Sequence, residues 1–130
     1  MARVPILHIE DLLIATVQED LRDRDALDLQ EHLTATLERT SARGVLLDLS
    51  IVETVDSFLG RLLNDIALSS RLMGAETVLV GIQPAVAITL VELGMSLEGV
   101  RTALDVEKGM ALLAATREGD RDNGYDRRSL

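Results

Sequence analysis

The chain has no cysteine and no tryptophan, and only one phenylalanine and one tyrosine among its 130 residues. Without cysteine there can be no disulfide, no thiol nucleophile and no thiolate metal site. With two aromatic rings there is little to stack on a base or to grip an aromatic ligand. Positive charge is also in short supply: 13 Lys and Arg stand against 22 Asp and Glu, a formal net charge of -9. Binding to nucleic-acid phosphates needs a basic surface, so no nucleic acid is expected as a partner. An anionic membrane surface is disfavoured for the same reason. No uninterrupted apolar run reaches ~18 residues, so no membrane-spanning helix is expected. The opening MARVPILHIED lacks a long apolar stretch and a small-residue cleavage site, so no signal peptide is expected and the cytoplasm is the expected compartment.

The parts needed for catalysis are missing as well. There is no P-loop and no G-x-G-x-x-G. The only histidines are His8 and His32, far apart in sequence, which without cysteines argues against a zinc site. A hydrolase needs a serine with a base in reach. Val55-Asp56-Ser57-Phe58-Leu59-Gly60 fails the G-x-S-x-G elbow, because valine stands two residues before Ser57. No enzyme activity, cofactor or metal is therefore expected.

What is present is aliphatic: the apolar fraction is 47%, nearly all Leu, Val, Ala and Ile. The length suits one domain with one core. Ile6 to Ile9 and Leu12 to Gln18 read as two strands joined by a tight turn at Glu10-Asp11. Asp23-Arg24-Asp25 suits a helix N-terminus. Ala26, Leu29, Leu33 and Leu37 then recur at helical spacing, predicting an amphipathic helix that ends before Gly44, with His32 on its polar face. Val45 to Leu49 reads as a buried strand. A second helix is predicted from Ser57 to Met73, stopped by Gly74. Thr77 to Val80 reads as another strand. A third helix follows from Pro84 to Leu93, closed by Gly94. Val100 to Ala103 is a last short strand, and Asp105 caps a helix running to about Ala115. This alternation implies an α/β domain with a small, mostly parallel central sheet flanked by helices, and an opening antiparallel strand pair at its edge. The domain is expected over residues 1–116. Residues 117–130, dense in charge and poor in apolar side chains, are expected to form a flexible tail.

Ser57 draws notice for its position. The strand ending at Leu49 feeds a loop, and Asp56-Ser57 opens the second helix, where free backbone N–H groups and the positive end of the helix dipole lie. A phosphate there would gain charge-assisted hydrogen bonds, against repulsion from Asp56. Alternatively, Asp56 or Ser57 simply caps the helix; a residue can do both. At about 100° per residue, Phe58, Leu59, Leu62, Leu63, Ile66, Ser69, Ser70 and Met73 share one broad arc that should face the sheet. Ser57, Arg61, Asn64, Asp65, Leu68, Arg71 and Leu72 fall on the other side. Leu68 and Leu72 are thus outward leucines in line with Ser57. Scattered exposed leucines are ordinary, but a row ending at a modifiable serine has the form of a docking stripe for a partner, with Asp56, Arg61 and Asn64 beside it.

Val55-Asp56-Ser57-Phe58 and Ser70-Arg71-Leu72-Met73-Gly74-Ala75 resemble the STAS domain of anti-sigma-factor antagonists. The stretch from Gly81 to Gly94, GIQPAVAITLVELG, with Thr102 to Gly109, TALDVEKG, resembles the stressosome branch of that family, and within it the short RsbS type. The resemblance runs from about Val4 to Leu113. It implies the STAS fold, with Ser57 as the phosphoacceptor serine at the start of the second helix. It also implies a scaffold that assembles with RsbR-like STAS paralogues, sequesters an RsbT-like serine kinase, and releases it on phosphorylation in a stress response. The other function that the resemblance admits is a direct anti-sigma-factor antagonist that binds an anti-sigma kinase.

Overall fold

The structure, a computed structural model, describes residues 4–19, 21–94 and 100–115. The chain opens with β1 (Ile6–Ile9) and β2 (Leu12–Thr16), paired antiparallel with Ile6 opposite Ala15 and Ile9 opposite Leu12. Their two-residue turn starts at Glu10, whose φ of 55° has the sign a tight hairpin requires. The rest alternates: α1 (Asp23–Thr40), β3 (Gly44–Asp48), α2 (Ser57–Leu72), β4 (Glu76–Val80), α3 (Pro84–Glu92) and β5 (Arg101–Ala103). A fourth helix, α4, covers residues 106–115. The strands stand in chain order across one sheet, β1-β2-β3-β4-β5, and every neighbour pair after the first is parallel. The α/β fold with an antiparallel opening pair is the one the sequence pattern predicted. The last residues of the expected domain and the expected tail, 116–130, lie outside the described residues.

Both faces of the sheet are covered, which is why its central strands read as continuous apolar runs rather than alternating ones. Leu13, Ala15, Val45, Leu47 and Leu79 point to one face, where they meet Leu29 and Leu33 of α1, Leu63 and Ile66 of α2, and Val86 and Leu90 of α3. Each parallel step is thus carried over the same face. Ile14, Leu46, Val78 and Val80 point to the other face and pack on α4 through Leu113. Two glycines make that second layer possible. A Cβ on Gly109 would collide with the side chains of Leu46 and Val80, and one on Gly44 would meet Leu12 at 2.7 Å and Leu113 at 2.8 Å. Without side chains there, α4 lies directly on the sheet.

The helix ends show which local signals carried. Gly74 and Gly94 take φ of 83° and 68° just beyond α2 and α3, as expected for glycine stops. Lys108 N–H donates to Asp105 Oδ1 at 2.8 Å, capping α4. α1 instead ends on Ser41 in the left-handed region (φ 56°), whose N–H donates to the Leu37 carbonyl, so Gly44 is free to begin β3. Two side chains sit differently from the helical-wheel expectation. Met73 is exposed rather than turned to the sheet, because the helix ends at Leu72. His32 is half-buried rather than on a free polar face, and its Nδ1 is buried without a partner among the described residues.

Candidate functional site

Three loops meet at the C-terminal ends of β2, β3 and β4, their described residues being 17–19 with 21–22, 49–56 and 81–83. Parallel pairing puts them there, since every parallel strand ends on the same side of the sheet. The central loop is held from both flanks. Val17 N–H donates to the Asp48 carbonyl and Leu49 N–H to the Val80 carbonyl, each at 2.8 Å. Asp48 Oδ1 accepts from Ser50 N–H at 2.9 Å, an Asx-type turn. Val52 is fully buried and plugs the loop into the core. Gln83 Nε2 donates to the Ser50 carbonyl at 2.9 Å. At Gly81 a side chain is excluded twice: φ is 71°, and a Cβ would stand 2.9 Å from Ser50 Cβ and 3.2 Å from its backbone.

This loop delivers the chain to Ser57. Asp56 is the N-cap: its backbone is extended, and Oδ1 accepts from Leu59 N–H at 2.8 Å. The cap is therefore the aspartate, and the serine is left over. Ser57 is the first helical residue, it is exposed, and its hydroxyl makes no hydrogen bond among the described residues. Neither histidine is placed to activate it, for His8 is on β1 and His32 is midway along α1. The arrangement presents a hydroxyl to an incoming reagent and supplies no base of the imidazole kind.

The residues named beside Ser57 run along one line of α2, a length of about 22 Å at 1.5 Å per residue. Arg61 is exposed and Asn64 half-buried. Leu68 and Leu72 are 52% and 80% exposed, in contrast to Leu59, Leu62, Leu63 and Ile66, which are buried against the sheet. Asp56 stands just before the helix rather than on this line, and its carboxylate is committed to the cap. Leu68→Ala and Leu72→Ala are expected to change unfolding free energy by less than ~0.5 kcal/mol in urea titrations. A loss of several kcal/mol from either would place the leucine in the core.

The STAS domain profile matches residues 3–109. This chain belongs to the STAS family. Its fold overlays that of a serine-to-glutamate variant of Moorella thermoacetica RsbS with a TM-score of 0.81 and 37% identity, covering 90% of this chain and 99% of the other. A chain from a structure of the stressosome, described as a signal integration and transduction hub, overlays with a TM-score of 0.78 and 38% identity, covering 87% of this chain and 98% of that one. The RsbT co-antagonist protein RsbRD of Bacillus subtilis (strain 168) is 34% identical over 82 residues, 61% of this chain. The chain spans only 30% of that relative's length. These findings make it a stressosome-related STAS protein, similar to RsbS along its length and to the RsbR type over part of it. No helix among the described residues is long and apolar enough to cross a membrane.

Two features of this STAS domain were not singled out from sequence. The first is the outer face of α3. Ile88 and Val91 are 59% and 78% exposed, although Pro84 to Glu92 carries a single charge. A nearly uncharged helix would ordinarily be covered on more than one side, and the near-absence of charge in that stretch was the available signal. The second is Glu19, in the β2–α1 loop. Its Oε2 accepts from Glu53 N–H at 2.7 Å and its Oε1 from Thr54 Oγ1 at 3.2 Å. Glu19, with Asp23, Asp56, Leu21 and Phe58, lines a cleft of about 200 Å³ beside the start of α2. No local pattern marks a glutamate whose partners lie 34 and 35 residues away.

Proposed function

We propose that this protein is a non-catalytic, phosphorylation-controlled scaffold of a stressosome, resident in the cytoplasm and without a cofactor. It assembles with RsbR-like STAS paralogues, sequesters an RsbT-like serine kinase, and lets it go when Ser57 carries a phosphate. The observation that carries the reading is the division of labour at the start of α2: Asp56 takes the cap, so the Ser57 hydroxyl is exposed and uncommitted. The likeness to RsbS and to a stressosome chain supports the assembly. The name of the B. subtilis relative, a co-antagonist of RsbT, supports the choice of kinase. The exposed apolar residues of α2 and α3, Leu68, Leu72, Ile88 and Val91, are of the kind that an assembly buries.

The chemistry asked of the protein is slight. The serine oxygen attacks the γ-phosphorus of the kinase's ATP, ADP leaves, and the hydroxyl proton passes to a base on the kinase. The chain contributes a hydroxyl held clear of its own surface. Incubation with an RsbT-type kinase and Mg-ATP, followed by peptide mass spectrometry, should find one phosphate, on Ser57, and none on the Ser57→Ala variant. Phosphate on another residue, or on none, would remove the reading.

A further inference from the structure

We infer that Glu19 is a positioning residue for phosphorylation of Ser57: it clamps the loop before α2 into the shape the kinase docks on. The inference rests on the reading of Ser57 as a phosphoacceptor. The loop from Ser50 to Asp56 has two halves held by different means. Its first half is fixed by the Asp48 turn, by Gln83 and by the buried Val52. Its second half is mostly exposed: Glu53 and Thr54 face solvent, and Val55 is half-buried. Here the Glu19 carboxylate reaches across from another loop and engages both Glu53 and Thr54, one through each oxygen.

A carboxylate bridging two successive residues of a loop does what a turn cannot do alone. It fixes the loop against a separate element, and charge-assisted bonds are the strong kind. The Glu53 N–H bond, at 2.7 Å, is short for an N–H donor. The cost of ordering the loop is thus met on folding and need not be met again when the kinase arrives. Ser57 itself is held by the helix and by the Asp56 cap, so loss of the clamp leaves the hydroxyl in place but loosens the surface that leads to it. The consequence is specific: docking weakens and transfer in the docked complex does not.

The test is steady-state phosphorylation of the full chain by an RsbT-type kinase, with Ser57→Ala as the blank. Glu19→Ala should raise KM for the chain about tenfold and leave kcat within about a factor of two of wild type. Glu19→Gln keeps an acceptor oxygen and loses the charge, so it should recover most of that KM. Equal KM for Gln and Ala would mean that the charge acts and not the clamp. Amide exchange gives an independent reading: the Glu53 N–H should be protected in the wild type and exchange faster in Glu19→Ala. If Glu19→Ala fails to fold, Thr54→Val, which removes the 3.2 Å bond alone, should still raise KM by up to about threefold. A wild type that accepts phosphate on Ser57 while all these variants match its KM overturns the clamp alone. A wild type that accepts none overturns the reading beneath it.

Discussion

Ser57→Glu and Ser57→Asp should lose an RsbT-type kinase, and Ser57→Ala should retain it through rounds of ATP that release it from the wild type. A phosphate on Ser57 adds roughly -1.5 to -2 charges at neutral pH to a chain whose net charge is already -9. It would stand next to Asp56, whose carboxylate already holds the Leu59 N–H, so one of the free donors of the helix N-terminus is spent. The cation that spacing puts in its reach is Arg61, four residues on and exposed, an i,i+4 neighbour in the favourable acidic-then-basic order. A phosphate paired with Arg61 would withdraw that cation from any partner that also uses it. The change is local, in charge and bulk, and needs no refolding. A docking surface that loses ~3 kcal/mol binds about a hundredfold more weakly. Carboxylates carry only part of a phosphate's charge, so the acidic variants should lose less than the phosphorylated protein. Co-sedimentation of the kinase with the assembled complex, with and without ATP, measures it. Equal retention by phosphorylated wild type and by Ser57→Ala would leave Ser57 an ordinary first residue of a helix.

The second large effect is on stability. Leu47 is the fourth of the five residues of β3, fully buried, with Ala15 and Leu79 beside it in register. Above it lie α1, α2 and α3, and none of them can close a gap without dragging the others. Leu47→Ala should therefore cost ~2–5 kcal/mol, a large part of the ~5–15 kcal/mol that holds a domain folded, and lower the melting temperature on the order of 10 °C. Leu46 is equally buried but faces the other way, under α4 alone. There Gly109 puts helix backbone against its side chain, and a single helix can settle into the space. Leu46→Ala removes the same atoms and should cost less, by roughly 1 kcal/mol. Urea unfolding of both variants decides it; equal losses would show that the number of helices over the sheet does not govern the relaxation.

The elements were legible in the sequence because each rests on near neighbours. Ala26, Leu29, Leu33 and Leu37 repeat every three or four residues, and all four are buried in α1. The run Val45 to Leu47 is buried on both faces of the sheet, which is what an uninterrupted apolar strand implied. Gly74, Gly94 and Asp105 mark helix ends through bonds or backbone angles that span a few residues. The outward leucines of α2 followed from the same 100° step. The resemblance of Val55 to Phe58 and of Ser70 to Ala75 led to the STAS family, which the match over residues 3–109 shows.

What only the tertiary structure decided concerns residues that are far apart in the chain. Whether Asp56 or Ser57 capped α2 was open in the sequence, since both types cap well; the direction of the loop settled it by aiming the Asp56 carboxylate at Leu59 N–H. The meeting of Glu19 with Glu53 and Thr54 follows from the parallel pairing of β2 with β3, which brings their C-terminal loops side by side. The need for glycine at 81 follows from Ser50 on the neighbouring strand's loop. Near-neighbour periodicity reports how a segment meets an apolar environment, and so it predicts helices, strands and buried faces. It holds no information on which loop stands beside which, because strand order and register are properties of the whole sheet. The loop that leads to Ser57 is held by two others, through Glu19 and through Gln83, which is why its place could be read from the chain and its construction could not.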